Sequence, residues 1–533
     1  MRDLSSAILD WQALLGQSAV LPGPAAQRTY GLDASGIERT IPAALLITQA
    51  DDLPAVMHIA SRYSVPVYPI STGKNWGYGT ALPARGGSVI IDLSRLQRVI
   101  HFDAELGVVT VEPGVTQGML ADFLEAGKHP YLVPVTGAGP SCSVLANALE
   151  RGYGVTPLVD HFSALTDIEA VLADGTWYRT AMHEVGGRDL SRLFKWGIGP
   201  YSAGLFTQGG FGIVTRASIV LARRPECVKV CLFGLRSDDL LEAAVERIRN
   251  ILVQLPGTVG AINLMNRHRV LSMTAPFPAN RLDADGMIPA SVIDELGKQY
   301  QIQPWTGFAT LYGTHRMVAA AQKEMRAALR GVASRVLFIS PAGAVGLARL
   351  AQWLPGAMGR RLGSAASTLA KSLELVAGRP NETAMPLAYW QNPRKLPAGP
   401  RDPSRDGCGL MWYSPLVPMR PAGVRAYVGM VRQLTPRHGI EPLITFTSLN
   451  DRLFDSTVPL IFERDDEAAL LSARACYAEL LEAGRLQGWF PYRVGIDTMD
   501  KISSLQTEAK AFHDRLRKDL DPQDLLAPGR YRS

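Results

Sequence analysis

The sequence predicts an α+β protein of two domains, an α/β first half with a second strand-and-helix domain laid over it. Three observations carry that prediction. The chain has 533 residues, 47% of them apolar, which is more than one hydrophobic core usually organises. Strand and helix patterns alternate through the first half, and near Arg224 the composition shifts to two tandem strand–helix units.

In chain order, Leu4, Ile8, Leu9, Trp11, Leu14 and Leu15 can share one broad face, so the first residues read as an amphipathic helix. They lack a basic stretch followed by a continuous apolar run, so no signal peptide is indicated, and no segment is apolar for long enough to suggest a membrane span. Between Ala43 and Ile70 the order is strand (ALLIT), helix (DDLPAVMHIASRY, opened by acids that suit a helix N-terminus) and strand (VPVYPI). Strands follow at SVIIDL and VVTVEPG, then a helix from Thr116 to Ala126, and IEAVLADGTWY places Asp174-Gly175 as a hairpin turn between two apolar runs. Beyond Arg224, VKVCLFGL precedes a helix from Asp238 to Leu255. GFATLYGT precedes another from Met317 to Leu329, and RVLFIS follows, which together suggest a split βαβ layer. Residues 357–410 are dense in Gly, Pro and Arg and read as a binding loop rather than a disordered tether, because Trp390 within the stretch and Trp412 just beyond it would be unusual in a tether.

Composition narrows the function classes. The net charge of +6 is dispersed and forms no basic block, so nucleic-acid binding is not expected. The five cysteines (Cys142, Cys227, Cys231, Cys408, Cys476) form no CxxC or CxxCH, which argues against a disulfide scaffold, a zinc ribbon and attached haem, and no metal site is expected.

The most informative segment is PISTGKNWGYG, Pro69 to Gly79, directly after a strand. Glycines with Ser71 and Thr72 let backbone N–H groups converge on an anion such as a diphosphate. No GK[ST] closes the loop and no GxGxxG follows an early strand, so nucleotide hydrolysis and the Rossmann arrangement both lose ground. The ordered set PISTGKNWGYG, GSVIIDL, VTVEPGVT, NALERGYGVTPLVDHF, FKWGIGPYSAGLFTQGGFGIVT and DPQDLLAPGR resembles the vanillyl-alcohol oxidase and p-cresol methylhydroxylase family of FAD enzymes over nearly the whole chain.

That resemblance implies FAD as cofactor, an FAD-binding domain over residues 1–224 completed by 495–533, and a ferredoxin-like-type cap over 225–494. It places Ser71, Thr72, Gly73, Lys74 and Asn75 on the diphosphate, and Pro113, Gly114, His161, Gly212, Ile213 and Val214 around the cofactor. Arg530 falls beside the flavin's pyrimidine edge, where a cation stabilises the anionic reduced ring. Tyr78, Tyr492 and Arg493 match the family's phenol-binding trio, with Thr445 and Trp412 lining the substrate pocket. Two hydroxyl donors and a permanent guanidinium on a phenol oxygen favour its phenolate. Such a phenolate can lose a benzylic hydride to flavin N5, giving a quinone methide to which water adds.

Oxidases of the family attach FAD through a histidine where this chain has Leu410, so that linkage is impossible here. The cytochrome-linked branch uses a tyrosine, to which Tyr389 corresponds; the alternative is that Tyr389 packs beside Trp390 over noncovalent FAD. Arg394, Lys395 and Arg401 are the cations nearest in sequence that could help Tyr389 lose its proton. The oxidases also carry an acid in the segment that reads VPVTGAGPS here, without a carboxylate. The base for water addition is therefore left among Asp160, Glu150, Asp451 and Asp455, each with a structural alternative: Asp160 beside His161, Glu150 pairing Arg151, and the last two pairing Arg452.

The resulting expectation is a hydroxylase of a para-substituted phenol (eugenol, 4-alkylphenol or lignan type), passing electrons to a c-type cytochrome subunit or another carrier. A homodimer of the flavoprotein is expected, cytoplasmic, or periplasmic if exported with the cytochrome. The rivals are an O2-dependent phenol oxidase making peroxide and a noncatalytic FAD-fold binding protein.

Overall fold

The computed structural model describes residues 3–352 and 369–532. Its first half holds two sheets. In the four-stranded one, Val20–Pro22, Ala43–Leu46, Val89–Asp92 and Val67–Ile70 lie side by side, the last three mutually parallel. Ala43–Leu46 and Val89–Asp92 are buried at every position, as continuous apolar runs covered on both faces require. The Leu53–Arg62 helix covers the sheet. Against it packs the Leu4–Leu15 helix, whose Trp11 is fully buried and donates its indole N–H to Val56 O at 3.2 Å. The buried stripe of that first helix is narrower than its sequence suggests: Leu9 stays 66% exposed, because a helix with one packed neighbour buries one stripe.

The second sheet is antiparallel, ordered Val99–Asp103, Val108–Val111, Ile213–Val220, Leu165–Val171, Trp177–Arg179. Its last two strands form the hairpin read from Asp174-Gly175, where Gly175 takes φ +84°. The C-terminal segment returns to this half: Ala527 N–H donates to Val67 O, and Val67 N–H to Leu525 O, both at 2.8 Å.

From Cys227 onward the chain builds one large sheet in the order Ala333–Ile339, Cys227–Leu235, Trp305–Gly313, Val259–Asn266, Thr445–Ser448, Leu453–Glu463, Cys408–Tyr413. The first four of these, with the helices Leu241–Gln254 and His315–Ala328, are a ferredoxin-like unit, two split βαβ halves interleaved antiparallel. The Val259–Asn266 strand completes it, a segment whose short alternating pattern the sequence reading passes over. Three further strands extend the sheet in that order, and the short Leu416–Pro418 strand pairs with Leu453–Glu463 beside them. Pro421–Leu434 and Glu467–Leu486 join the first two helices on one face in a single apolar core with Tyr413, Phe446 and Phe454. The other face turns towards the FAD-domain loops. Of the Gly/Pro/Arg-rich stretch, 357–368 lies outside the described residues, and the remainder contributes Met385, Leu387, Ala388 and Pro403 to a cavity wall. Among the described residues no helix is long and apolar enough to cross a membrane.

Candidate active site

Two cavities adjoin between the loops of the first half and the open face of the large sheet. They share Lys74, Asn75, Ala138, Asn147 and Arg493 as a common wall. The smaller, about 210 Å³, runs along the glycine-rich loop that leaves the Val67–Ile70 strand. Gly73 there takes φ +63°, a left-handed turn that aims the loop's backbone into the space. Ser71, Thr72, Gly73, Lys74, Asn75, Gly212, Val214 and Arg530 all line it. Arg530 donates to the Tyr68 hydroxyl at 2.9 Å and ion-pairs Glu150. Lys74 ion-pairs Asp402 at 2.5 Å, which ties the loop to the cap.

The other residues expected at the cofactor stand behind this lining. Pro113 O accepts from the Ser143 hydroxyl at 2.6 Å, and Ser143 is itself a lining residue. Gly114 is confined so closely that a Cβ would sit 2.3 Å from Ser94 O. Ile213 is fully buried in the apolar core under the four-stranded sheet, as alternation along a strand dictates for the residue between Gly212 and Val214. His161 is buried with Nδ1 against the Asn147 amide; burial pushes its imidazole down to about 4 and leaves Nε2 without a partner. Tyr389 lines neither cavity. It packs among Trp76, Trp390 and Leu410 and donates its hydroxyl to Asp406 at 2.7 Å. Of the three loop cations, Lys395 pairs Glu463 and Asp465, Arg401 pairs Glu382, and Arg394 is exposed.

The larger cavity, about 370 Å³, opens onto the cap sheet. Period-two alternation sets its ceiling. Thr445 and Thr447, Asp455 and Thr457, and Leu410, Trp412 and Ser414 face the cavity, while the intervening Phe446, Tyr413 and Met411 enter the helical core. Register aligns them laterally: Asn263 lies opposite Thr447, and Thr447 opposite Asp455. Asn263 donates to the Thr447 hydroxyl at 3.1 Å. Gly77 lets the glycine-rich loop touch this sheet, since a Cβ there would lie 2.5 Å from Trp412.

Tyr78, Tyr492 and Arg493 meet where the two cavities join. The Arg493 guanidinium lies over the Tyr78 ring at 4.0 Å and 5.9 Å from the Tyr492 ring. The Tyr78 hydroxyl shares a hydrogen bond with Ser414 Oγ at 3.0 Å. Burial works against the Arg493 charge, but Tyr492, Tyr78 and Glu150 outweigh it and hold its pKa above the ordinary value. Burial also raises the Tyr492 hydroxyl far above its usual range, so that it stays a proton donor. Facing them, Asp455 has Oδ1 unpartnered, and burial, opposed only by Arg493, lifts its carboxyl to about 7. This separates the four candidate acids. Asp451 pairs Arg452 at 3.8 Å, Asp160 caps Ser163 N–H at 3.0 Å, and Glu150 pairs Arg530 rather than Arg151, which bonds Thr207 instead. Only Asp455 faces the trio from across the cavity. Its signal in the sequence is the polar–apolar alternation of TFTS and DST, which marks a strand with one polar face.

Comparison with known proteins agrees with this architecture. The FAD binding domain family matches residues 41–181. A 1'-carboxy-chondrochloren decarboxylase from Chondromyces crocatus is 31% identical over 99% of this chain and 97% of its own length. The 4-cresol dehydrogenase [hydroxylating] flavoprotein subunit of Pseudomonas putida is 26% identical over 99% of this chain and 95% of its own. The crystal structure of p-cresol methylhydroxylase with substrate bound superposes with a TM-score of 0.86, at 25% identity, covering 99% of this chain and 96% of the other.

The chain belongs to the vanillyl-alcohol oxidase/p-cresol methylhydroxylase family. It is an FAD-dependent oxidoreductase. As a member of that family it fits the cofactor by its own residues: a backbone-rich loop opens the smaller cavity, the cation Arg530 lies in the same wall, and the walls at Gly212 admit no side chain, a Cβ there falling 2.5 Å from Phe206.

Proposed function

We propose that this flavoprotein oxidises para-substituted phenols at the benzylic carbon. The observation that carries the reading is the convergence of Tyr78, Tyr492 and Arg493 at the junction of the two cavities, opposite an unpaired Asp455. Tyr78 and Tyr492 donate to the phenol oxygen, Ser414 orients the first of them, and the Arg493 charge favours the phenolate. FAD, held by Ser71–Asn75 and Arg530, supplies the two-electron acceptor for the benzylic hydride. Asp455 takes the proton of the water that adds to the benzylic carbon of the quinone methide, so the product is the benzylic alcohol. A second outcome at the same site is suggested by the relative named as a decarboxylase. A carboxylate on the carbon next to the benzylic one leaves as CO2, and its electron pair forms the side-chain double bond and restores the phenolate.

Electrons pass to a c-type cytochrome subunit or another one-electron carrier. Leu410 stands in the cavity wall where oxidases of the family carry their histidine, and the cavity-lining residues Val135–Ala138 include no carboxylate. Anaerobic 4-ethylphenol is expected to bleach the FAD absorbance, and the reduced enzyme to be reoxidised by cytochrome c much faster than by air. Absence of bleaching by any para-alkylphenol sinks the reading; rapid stoichiometric peroxide formation in air sinks only the choice of acceptor.

Covalent attachment of FAD would fall to Tyr389, with Asp406, which already accepts its phenolic hydrogen bond, taking the proton. Tyr389 lines neither cavity, so its ring would have to turn towards the smaller one, and the bond to the flavin's 8-methyl carbon would leave the flavin reduced by two electrons for the same one-electron carrier to remove. The tryptic peptide containing Tyr389 is then expected to carry the flavin's mass after acid denaturation. Free FAD in the supernatant together with an unmodified peptide leaves Tyr389 a packing residue.

A further inference from the structure

Arg269 is charged, lines the larger cavity, and has no part in the chemistry above. It stands in the first turn of the Arg267–Thr274 helix, which follows the cavity-lining Val259–Asn266 strand and is capped by Asn266. Its backbone is fixed there by an N–H bond to Asn266 Oδ1 at 3.0 Å, and its guanidinium reaches only the Ser272 hydroxyl, at 3.3 Å. Among the described residues no carboxylate forms an ion pair with it. Of its neighbours on the same turn, Arg267 pairs Asp294, and His268, whose imidazole burial pushes down to about 4, lies 3.7 Å from Glu441. Residues 1–2 and 353–368 contain no Asp or Glu, so they hold no acidic side chain in reserve for it.

The other cations of the two cavities differ. Arg530 has Glu150 and Lys74 has Asp402, while Arg493 has the two tyrosines beneath it. Burial alone acts on Arg269, pushing its guanidinium down to about 10 with no anion opposing. Arg269 lines only the larger of the two cavities, on the Arg267–Thr274 helix, whereas Arg493 stands in the wall that the two share. A guanidinium cannot shed its proton to escape burial. Holding it without a partner disfavours the empty protein, and a bound anion removes that cost.

We propose that Arg269 anchors a carboxylate on the substrate's side chain, so that the substrate class is a para-substituted phenol bearing an acid. The inference rests on the phenol reading above and names the second recognition element of the same cavity. One planar guanidinium, with no second unpaired cation among the described residues that line the cavity, matches a single planar carboxylate, which it can hold through two parallel N–H bonds, better than it matches a phosphate dianion. Asn263 Oδ1 and Thr445 Oγ1, buried and unpartnered on the cavity face of the sheet, remain available to polar atoms of the same side chain.

The test compares 3-(4-hydroxyphenyl)propanoate with its neutral counterpart, 4-propylphenol. Anaerobic stopped-flow reduction of the FAD holoenzyme at rising concentrations gives a dissociation constant and a limiting rate for each. The acid is expected to bind at least about tenfold more tightly than 4-propylphenol. Arg269→Gln should weaken the acid on the order of ten- to a hundredfold while changing 4-propylphenol less than about twofold, and Arg269→Lys should recover part of the loss. Equal binding of the two phenols by the wild-type enzyme, a comparison that needs no variant to fold, overturns the inference and leaves the phenol reading intact. So does a Gln variant that weakens both alike. Failure of both phenols to reduce the flavin removes the phenol reading and this inference with it.

Discussion

Arg493→Ala is expected to retain FAD and to slow anaerobic flavin reduction by a para-alkylphenol on the order of thirty- to a thousandfold, about 2–4 kcal/mol of barrier. The half-buried guanidinium lies over the Tyr78 ring at 4.0 Å in the cavity wall, so its loss leaves the phenolate without its charge partner. Tyr492→Phe tests the same site more gently. It keeps the edge-on ring contact with Tyr153 at 5.2 Å and removes only the hydroxyl, so a smaller loss, on the order of tenfold, is expected. Arg493→Lys restores charge without the planar fork and should fall between the alanine variant and the parent. Unchanged reduction rates in the Arg493→Ala, Tyr492→Phe double variant would show that the phenol oxygen binds elsewhere.

Asp455→Asn should separate activity from stability. As the base for water addition, the carboxylate is needed in its charged form, so hydroxylated product should form faster as pH rises through about 7. In the asparagine variant, product formation should drop on the order of a hundredfold or more and lose that pH dependence, while flavin reduction is much less affected. Stability should move the opposite way. A buried carboxyl lifted from 3.8 to about 7 binds its proton more tightly in the folded than in the unfolded chain. Its burial therefore costs nothing below pH 4, and the cost grows between pH 4 and 7 to at most about 4 kcal/mol. The variant is expected to melt higher than the parent at pH 8 and alike at pH 4. An unchanged melting difference across that range would mean that Asp455 is not titrating in the fold.

Much of this could be read from the linear chain, for definite reasons. A glycine-rich turn after a strand needs residues that adopt left-handed φ, so PISTGKNWGYG marks its own function, and the hairpin at Asp174-Gly175 is equally local. The convergence of Tyr78, Tyr492 and Arg493 was legible because the three sit in motifs that carry the family resemblance. The Val259–Asn266 strand was not, since eight residues of broken alternation do not distinguish a strand until the flanking sheet supplies its partners.

The sequence by itself determined the two-domain α+β class, the glycine-rich loop and which residues are candidates to meet a phenol. Only the tertiary structure decided which acid faces them and which cation stands unpaired. Asp451 and Asp455 are four residues apart and chemically identical, yet one pairs Arg452 at the surface and the other is buried beneath Arg493. Likewise RHR in the 267–269 run reads as a solvated helix start until the fold gives Arg267 its acid, buries His268 beside Glu441 and turns Arg269 into the cavity. Charge state and partnership depend on burial and on groups distant in the chain, and neither is encoded in a residue's local sequence.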